Sequence, residues 1–389
     1  MTKQLAAARR ALTHIHEKLA LQMGFELWDQ SGVPDDWPKA EGRLTIHIND
    51  PGVVSSLLRR PKLDTIIDLW VTKRLDLSGG DFFDLAAARP QGKSKKLARS
   101  LSRGLLAKSA LPFAFASKGR GRENAPKGEG ARDGSEASNK KNIQHHYDVS
   151  NAFYELFLDR EMLYTCAYFT DWENSIDQAQ QDKLEMICRK LRLRPGDRLL
   201  DIGCGWGALI CYAAEHYGVT AHGVTLSEEQ IAKGQTRIQE RGLSDKVSIE
   251  LKDFSKLEGT YTKIASIGMF EHVGLKNHAG YFSAVKRLLE PGGVYLHHAI
   301  TRPGKVTDKK FNRKPAEYKA ILKNIFPGAE LDHIGMSLRN LEAHGFEIHD
   351  VEGWREHYAL TTEHWARRLM ANKDAAIAEA GEEIYRMWI

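Results

Sequence analysis

With 389 residues, 42% of them hydrophobic and 9% aromatic, the chain exceeds the roughly 150 residues of a typical domain and can fill two cores. Its formal charge of +5 is mildly basic, which permits contact with an anionic surface without requiring one. No stretch approaches the ~20 apolar residues of a transmembrane helix, and the region before Glu17 lacks the apolar core of a signal peptide. The four cysteines (Cys166, Cys188, Cys204, Cys211) show no metal-type CxxC spacing. Reduced thiols, a cytoplasmic location and, at most, peripheral membrane contact are therefore expected.

In chain order, Leu12–Leu21 has the pattern of an amphipathic helix. Phe25–Trp28 and Arg43–Ile48 read as strands, the second through its alternating Leu44, Ile46 and Ile48. Asn49-Asp50-Pro51-Gly52 is a turn opening a helix to Leu58, and Ile66–Val71 with Leu75–Leu77 completes a small α+β module. No catalytic cluster appears there, so binding or scaffolding is its expected role. Lys95–Phe115 repeats Leu97, Leu101, Leu105 and Leu106 at helical spacing among five cations, which predicts a basic amphipathic helix ending in aromatics. Such a helix either packs its leucines on its own domain or lies in a lipid headgroup layer. Ser117–Lys141 is rich in Gly, Ser and charge, with little to bury, and reads as a flexible linker. The expected domains are thus 1–116, a linker at 117–141, and 142–389.

Beyond the linker, strand and helix patterns alternate. Strands are expected at Leu199–Asp201, His222–Thr225, Val247–Glu250, Ile264–Ile267 and Gly293–Leu296. Helices are expected at Gly207–Tyr217, Glu228–Arg241, Tyr281–Leu289 and Gly335–Ala343. This is the signature of an α/β, doubly wound parallel sheet, with ligands above the carboxyl ends of its strands.

The first of these strands runs into Leu199-Leu-Asp-Ile-Gly-Cys-Gly-Trp-Gly207. A strand, a Gly-rich turn and a helix in succession bring bare backbone amides and a helix N-terminus to a nucleotide-like ligand. The spacing of Gly203, Gly205 and Gly207 is GxGxG rather than GxGxxG, which favours S-adenosylmethionine (SAM) over a dinucleotide. Asp201 is adjacent. Thr225 and Gln230 follow the second strand, where many nucleotide sites carry a ribose-gripping acid, and Lys252-Asp253 follows the third, where Asp253 is equally a common turn residue. Glu271 lies in the apolar, small-residue segment Ser266–Gly274 after the fourth strand. His297 and His298 close the fifth, and alternation lets at most one of them join a site. Neither Glu271-His272 nor His145-His146 matches HExxH, so no metal is expected.

Taken together and in order, eight segments resemble the cyclopropane-fatty-acyl-phospholipid synthase family, which includes the mycolic-acid cyclopropane synthases. They are His146–Asn151, Tyr164–Phe169, Leu199–Gly207, Gly223–Ser227, Ser266–Gly274, His298–Ile300, Ile325–Pro327 and His357-Tyr358. The resemblance implies a Rossmann-like class I SAM-dependent methyltransferase domain behind a small α+β N-terminal domain that contacts lipid. It implies methylene transfer from SAM to the cis double bond of an unsaturated phospholipid acyl chain, through a carbocation deprotonated by bound bicarbonate. Carried over by position, the bicarbonate site comprises Cys166, Glu271, His298, Ile300 through its backbone, and Tyr358. The cofactor site comprises Tyr164, Thr165, Asp201, Gly203, Gly205, Gly207, Thr225, Leu226, Gln230, Lys252, Asp253 and Ile267. Thr165 stands where the family commonly has Ser. The segment Lys309–Asp332 departs from the family pattern near the acyl entrance, which leaves substrate and product open. The expected partners are unsaturated phospholipid and the inner membrane face, with no nucleic acid, and the family suggests a homodimer.

Other readings differ in chemistry. A fatty-acyl methyltransferase giving methyl-branched or methylene products differs only in which proton leaves the cation. A small-molecule or nucleic-acid methyltransferase would share the glycine loop, and Cys166 invites comparison with cysteine-dependent RNA methyltransferases. The catalytic region lacks a basic-aromatic stripe for RNA. A non-catalytic lipid-binding protein would have no use for Glu271, His298 and Tyr358 together.

Overall fold

The computed structural model describes residues 2–35, 37, 42–92, 94–122 and 149–389. Most of the expected linker (123–141) and the residues His145 to Asp148 lie outside the described residues. The chain divides into two compact units, Met1–Ala125 and Pro126–Ile389.

In the first unit a helix spans Lys3–Leu19, longer at its start than its apolar pattern because the Thr2 side chain caps it by accepting from the Leu5 amide. A four-stranded sheet is ordered β2-β1-β3-β4, with β1 at Gly24–Glu26, β2 at Gly32–Val33, β3 at Thr45–Ile48 and β4 at Leu75–Ser78. Only β1 and β3 pair in parallel. β1 is shorter than Phe25–Trp28 because the Leu27 amide turns to bond Ser31 O. Ile66–Val71 belongs to a helix, Leu63–Val71. Leu5, Phe25, Val33, Leu69 and Phe113 share one core.

The basic segment is not one helix. It breaks into Ser94–Ser100 and Arg103–Ala110, followed by a 3₁₀ turn at Leu111–Phe113. The break has a local cause: Ser102 leaves the helical region to cap the second helix, accepting from the Leu105 amide, while its own amide donates to His14 Nε2. Phe113 enters the core; Leu111 and Phe115 stay exposed.

The second unit is built on five parallel strands in the order β7-β6-β5-β8-β9. They span Arg198–Ile202 (β5), Thr220–Thr225 (β6), Val247–Leu251 (β7), Tyr261–Ile267 (β8) and Leu289–His298 (β9). Alternation along β5 sends Leu199 into the core beneath helices Ile176–Lys190 and Ala208–Tyr217, and Leu200 into the opposite core with helix His278–Leu288. The sheet is therefore covered on both faces, the doubly wound arrangement expected. Strand order reverses beside β5, and the crevice opens where β5 and β8 end. No helix among the described residues is long and apolar enough to cross a membrane.

Candidate active site

A cavity of about 530 Å³ lies over these carboxyl ends. All the expected cofactor residues line it except Gly207, which sits behind them as the N-cap of helix Ala208–Tyr217. The glycine loop is held from three sides. Gly203 N and Cys204 N donate to Val224 O, the Trp206 indole donates to Asn151 Oδ1 at 2.8 Å, and Arg237 donates to Trp206 O at 2.7 Å. Gly203 has φ of +80°, and a Cβ there would come within 2.6 Å of Met269. At Gly205 a Cβ would meet nothing within 4 Å, so the missing side chain is part of the cavity itself.

Asp201 is buried, and its Oδ1 has no hydrogen-bond partner. Burial pushes its carboxyl up to about 7 against the opposing charge of Lys183. The Thr225 hydroxyl donates to Gln230 Oε1 at 2.6 Å, which commits the carbonyl end of that amide and leaves its NH₂ as a donor for a ligand hydroxyl. Asp253 lines the cavity and also caps the 3₁₀ turn Phe254–Lys256, the turn role expected of it. Open space at Gly205, an unpaired buried carboxylate oxygen at Asp201 and a free amide donor at Gln230 fit a cationic amino acid joined to a nucleoside.

None of Cys166, Glu271, His298, Ile300 and Tyr358 lines this cavity; the structure joins Glu271 to Ile300, and Cys166, His298 and the Tyr358 backbone to Trp354. Glu271 is buried, and its Oε1 accepts from Ile300 N at 2.5 Å while Oε2 has no partner. Desolvation pushes its carboxyl up to about 7. His298, two residues before Ile300, packs its ring at a tilt against Trp354, with centroids 4.9 Å apart, and has an unpartnered Nδ1; desolvation holds it down at about 4 and therefore neutral. Trp354 O accepts from Cys166 Sγ at 3.8 Å and from Tyr358 N at 2.9 Å. His297 points the other way, with its ring against Phe270 and its Nδ1 2.9 Å from Tyr295 OH. Burial pushes the Cys166 thiol up to about 11, so it is not a thiolate near neutral pH, which disfavours a nucleophilic role. Two unpaired polar atoms, on Glu271 and His298, suit a small hydrogen-bonding anion.

Sequence reasoning missed two residues here. Trp354 connects Cys166, His298 and Tyr358, and Lys183 lines the cavity from helix Ile176–Lys190. Neither belongs to a motif. The one available signal was the charge of Lys183 on the same helical stripe as Leu184 and Ile187. An aromatic cluster around Tyr164, formed by Tyr154, Phe157, Phe326, Trp365 and Trp388, also draws on positions far apart in the chain.

Fold and site together define a SAM-dependent methyltransferase of the Rossmann-like class. The profile of the mycolic acid cyclopropane synthetase family matches residues 135–389. The chain is 35% identical over 374 residues to a probable fatty acid methyltransferase of Pseudomonas putida, covering 96% of this chain and 87% of that protein. It is 36% identical over 256 residues to cyclopropane mycolic acid synthase 1 of Mycobacterium tuberculosis, covering 64% and 88%. The solved structure of mycolic acid cyclopropane synthase CmaA1 complexed with SAH and CTAB superposes with a TM-score of 0.59 at 36% identity, covering 64% of this chain and 89% of that one. The chain belongs to the mycolic acid cyclopropane synthetase family.

Proposed function

We propose that the chain transfers a one-carbon unit from SAM to the cis double bond of an unsaturated phospholipid acyl chain and closes a cyclopropane ring. The observation that carries this reading is the buried, half-satisfied Glu271 carboxylate in a setting without a strong nucleophile: His298 is neutral and Cys166 is protonated. A carbocation left by methylation of an alkene needs such a setting, because a thiolate would capture it before a proton could leave.

Bicarbonate, when bound, supplies the base that accepts the proton from the new methyl group. Glu271 Oε2, the His298 ring and Tyr358 are the groups that would hold it, with Glu271 itself held by the Ile300 amide. Glu271 also provides a second proton acceptor, since a carboxyl group near 7 exchanges protons readily at neutral pH. Asp201, the glycine loop and Gln230 bind and orient the cofactor, and the aromatic cluster around Tyr164 excludes water from the reacting end. A second reading, a methyltransferase giving methyl-branched or methylene products, is favoured by one observation: the match spanning 96% of the chain is to a probable fatty acid methyltransferase.

The substrate resides in a bilayer, and the N-terminal unit carries a surface suited to it. From Arg103 to Arg122 the sequence has five cations and no acid, with Leu111 70% and Phe115 99% exposed between them. Cations attract the anionic headgroup layer while the two apolar side chains enter it. The double substitution Leu111→Ser, Phe115→Ser is expected to weaken sedimentation with anionic phospholipid vesicles by on the order of tenfold, from the apolar area lost. Undiminished binding would remove this surface from the proposal.

Incubation of the full chain with methyl-labelled SAM and vesicles of cis-unsaturated phospholipid tests the substrate class. Label is expected in the fatty acids released by hydrolysis. Label confined to headgroups, or no lipid label at all, would overturn both acyl readings.

A further inference from the structure

After β9 the chain makes an excursion that starts and ends at Glu271. Ile300 N donates to Glu271 Oε1 at 2.5 Å, and Glu330 N donates to Glu271 O at 2.8 Å. Arg302 closes the neck. Its amide donates to Asp332 O at 2.9 Å and its Nε to Leu331 O at 3.2 Å, while the guanidinium lies 3.6 Å over the Phe311 ring. Between these ties lie the helices Asp308–Phe311 and Ala316–Asn324. Tyr318, Leu322 and Ala329 form a small core there with Phe326 and Leu331. The Tyr318 hydroxyl accepts from Leu331 N at 2.8 Å, which ties the second helix to the returning chain. The excursion is therefore a cap with an interior of its own, and Glu271 sits at its base.

The outside of this cap concentrates the positive charge of the protein. From Thr301 to Asn324 the sequence has eight cations against two acids, Asp308 and Glu317. That formal +6 exceeds the +5 of the whole chain, so the remaining residues are together close to neutral. Arg302 and Lys314 are engaged with rings of the cap, the second 5.6 Å over Tyr318. Lys305, Lys309, Lys310 and Arg313 are exposed, and Val306 among them is 93% exposed.

Neither a charged run nor a single exposed apolar side chain marks a partner by itself. Together they match a lipid surface, which is anionic outside and apolar beneath. A folded acidic protein would answer the charge but leave the valine without a counterpart. Val306 follows Ile300 by six residues, a span of at most ~20 Å. A membrane that holds Val306 therefore also keeps Glu271 near the headgroup layer.

We propose that the cap is a lipid-docking surface of the catalytic unit itself: its exposed lysines and Arg313 bind anionic phospholipid headgroups, and Val306 enters the layer beneath them. This rests on the reading of the substrate as a phospholipid acyl chain. It is separate from the surface at Leu111 and Phe115 and is tested with that surface disabled.

The test uses the full chain carrying Leu111→Ser and Phe115→Ser, so that the remaining vesicle binding reads the cap. Sedimentation is measured at low salt with vesicles of anionic phospholipid and with vesicles of zwitterionic phospholipid. Adding Lys309→Gln and Lys310→Gln is expected to weaken binding to the anionic vesicles by about 25-fold, at roughly fivefold per cation near the surface. Adding Val306→Ser instead is expected to weaken it by about fivefold. Turnover of cis-unsaturated phospholipid in anionic vesicles at limiting lipid falls with the binding. Turnover of the same lipid dispersed in uncharged detergent micelles, and SAM affinity, stay unchanged. A background that no longer binds anionic vesicles, or binding that the lysine pair leaves intact, would overturn the proposal. So would an equal loss on zwitterionic vesicles, or a parallel loss of micellar turnover, which would make the cap part of the reaction site rather than a dock. Intact vesicle binding with weakened binding to an acidic acyl carrier protein would assign the cap to a protein partner instead. A wild type that labels no acyl chain in vesicles or micelles would overturn the substrate reading beneath the proposal, since sedimentation reads docking without turnover.

Discussion

Replacing Glu271 with Gln is expected to lower turnover at saturating SAM by about a hundredfold or more while leaving SAM affinity within about threefold. The change is nearly isosteric: a Gln amide oxygen still accepts from Ile300 N, the contact that sets the side chain in place. It removes the acceptor capacity of Oε2, the atom with no protein partner. Because burial raises the carboxyl to about 7, the wild-type rate is expected to fall as pH drops below 7, where Glu271 becomes protonated. The Gln variant should lose that acid limb. Stability moves the other way. A carboxyl whose folded pKa lies above its unfolded value favours the fold at low pH, and this contribution is lost as pH rises from about 4.5 toward 7. Above pH 7 the neutral Gln variant should therefore melt no lower than the wild type, which separates a catalytic loss from an unfolding one. A rate drop accompanied by collapse of SAM affinity would contradict this division of roles.

Gly205→Val is expected to reduce SAM affinity by about a hundredfold while leaving the far-ultraviolet dichroism of the chain unchanged. A Cβ at this position meets no protein atom within 4 Å, so the added side chain occupies ligand space rather than colliding with the core. The backbone φ of +55° adds a local strain of about 1–2 kcal/mol for a β-branched residue, which lowers the melting temperature without abolishing the fold. Gly203→Ala makes the contrast, because its methyl group runs into Met269 and its main effect is on stability. Calorimetric titration with SAM beside thermal melts of both variants resolves the two. Unimpaired SAM binding by Gly205→Val would place the cofactor elsewhere.

The parallel sheet was legible through apolar stretches such as Leu199–Ile202, ended by Gly203, and Ile264–Ile267, ended by Gly268, and the cofactor residues because they cluster at strand ends. What escaped the sequence depended on the third dimension. Lys183 looks like any helix lysine until the Leu163–Thr165 strip covers it. Trp354 gains its place only when the start of helix Arg355–Ala371 meets Cys166 and His298. The Lys95–Phe115 periodicity predicted one helix, but a single serine cap at Ser102 outweighed it. Glu271, His298 and Tyr358 stood out through resemblance; the structure holds Glu271 at the Ile300 amide and sets the His298 ring and the Tyr358 backbone against Trp354.

Ring closure is tested most directly with SAM carrying a fully deuterated methyl group and vesicles of cis-unsaturated phospholipid. Cyclopropane formation removes one hydron from that methyl group, so mass spectrometry of the released fatty acids should show a saturated ring product retaining two of the three deuterons. A methyl-branched product that keeps all three, or any product that bears a double bond at the methylated position, would contradict ring closure and assign the chain to acyl methylation instead.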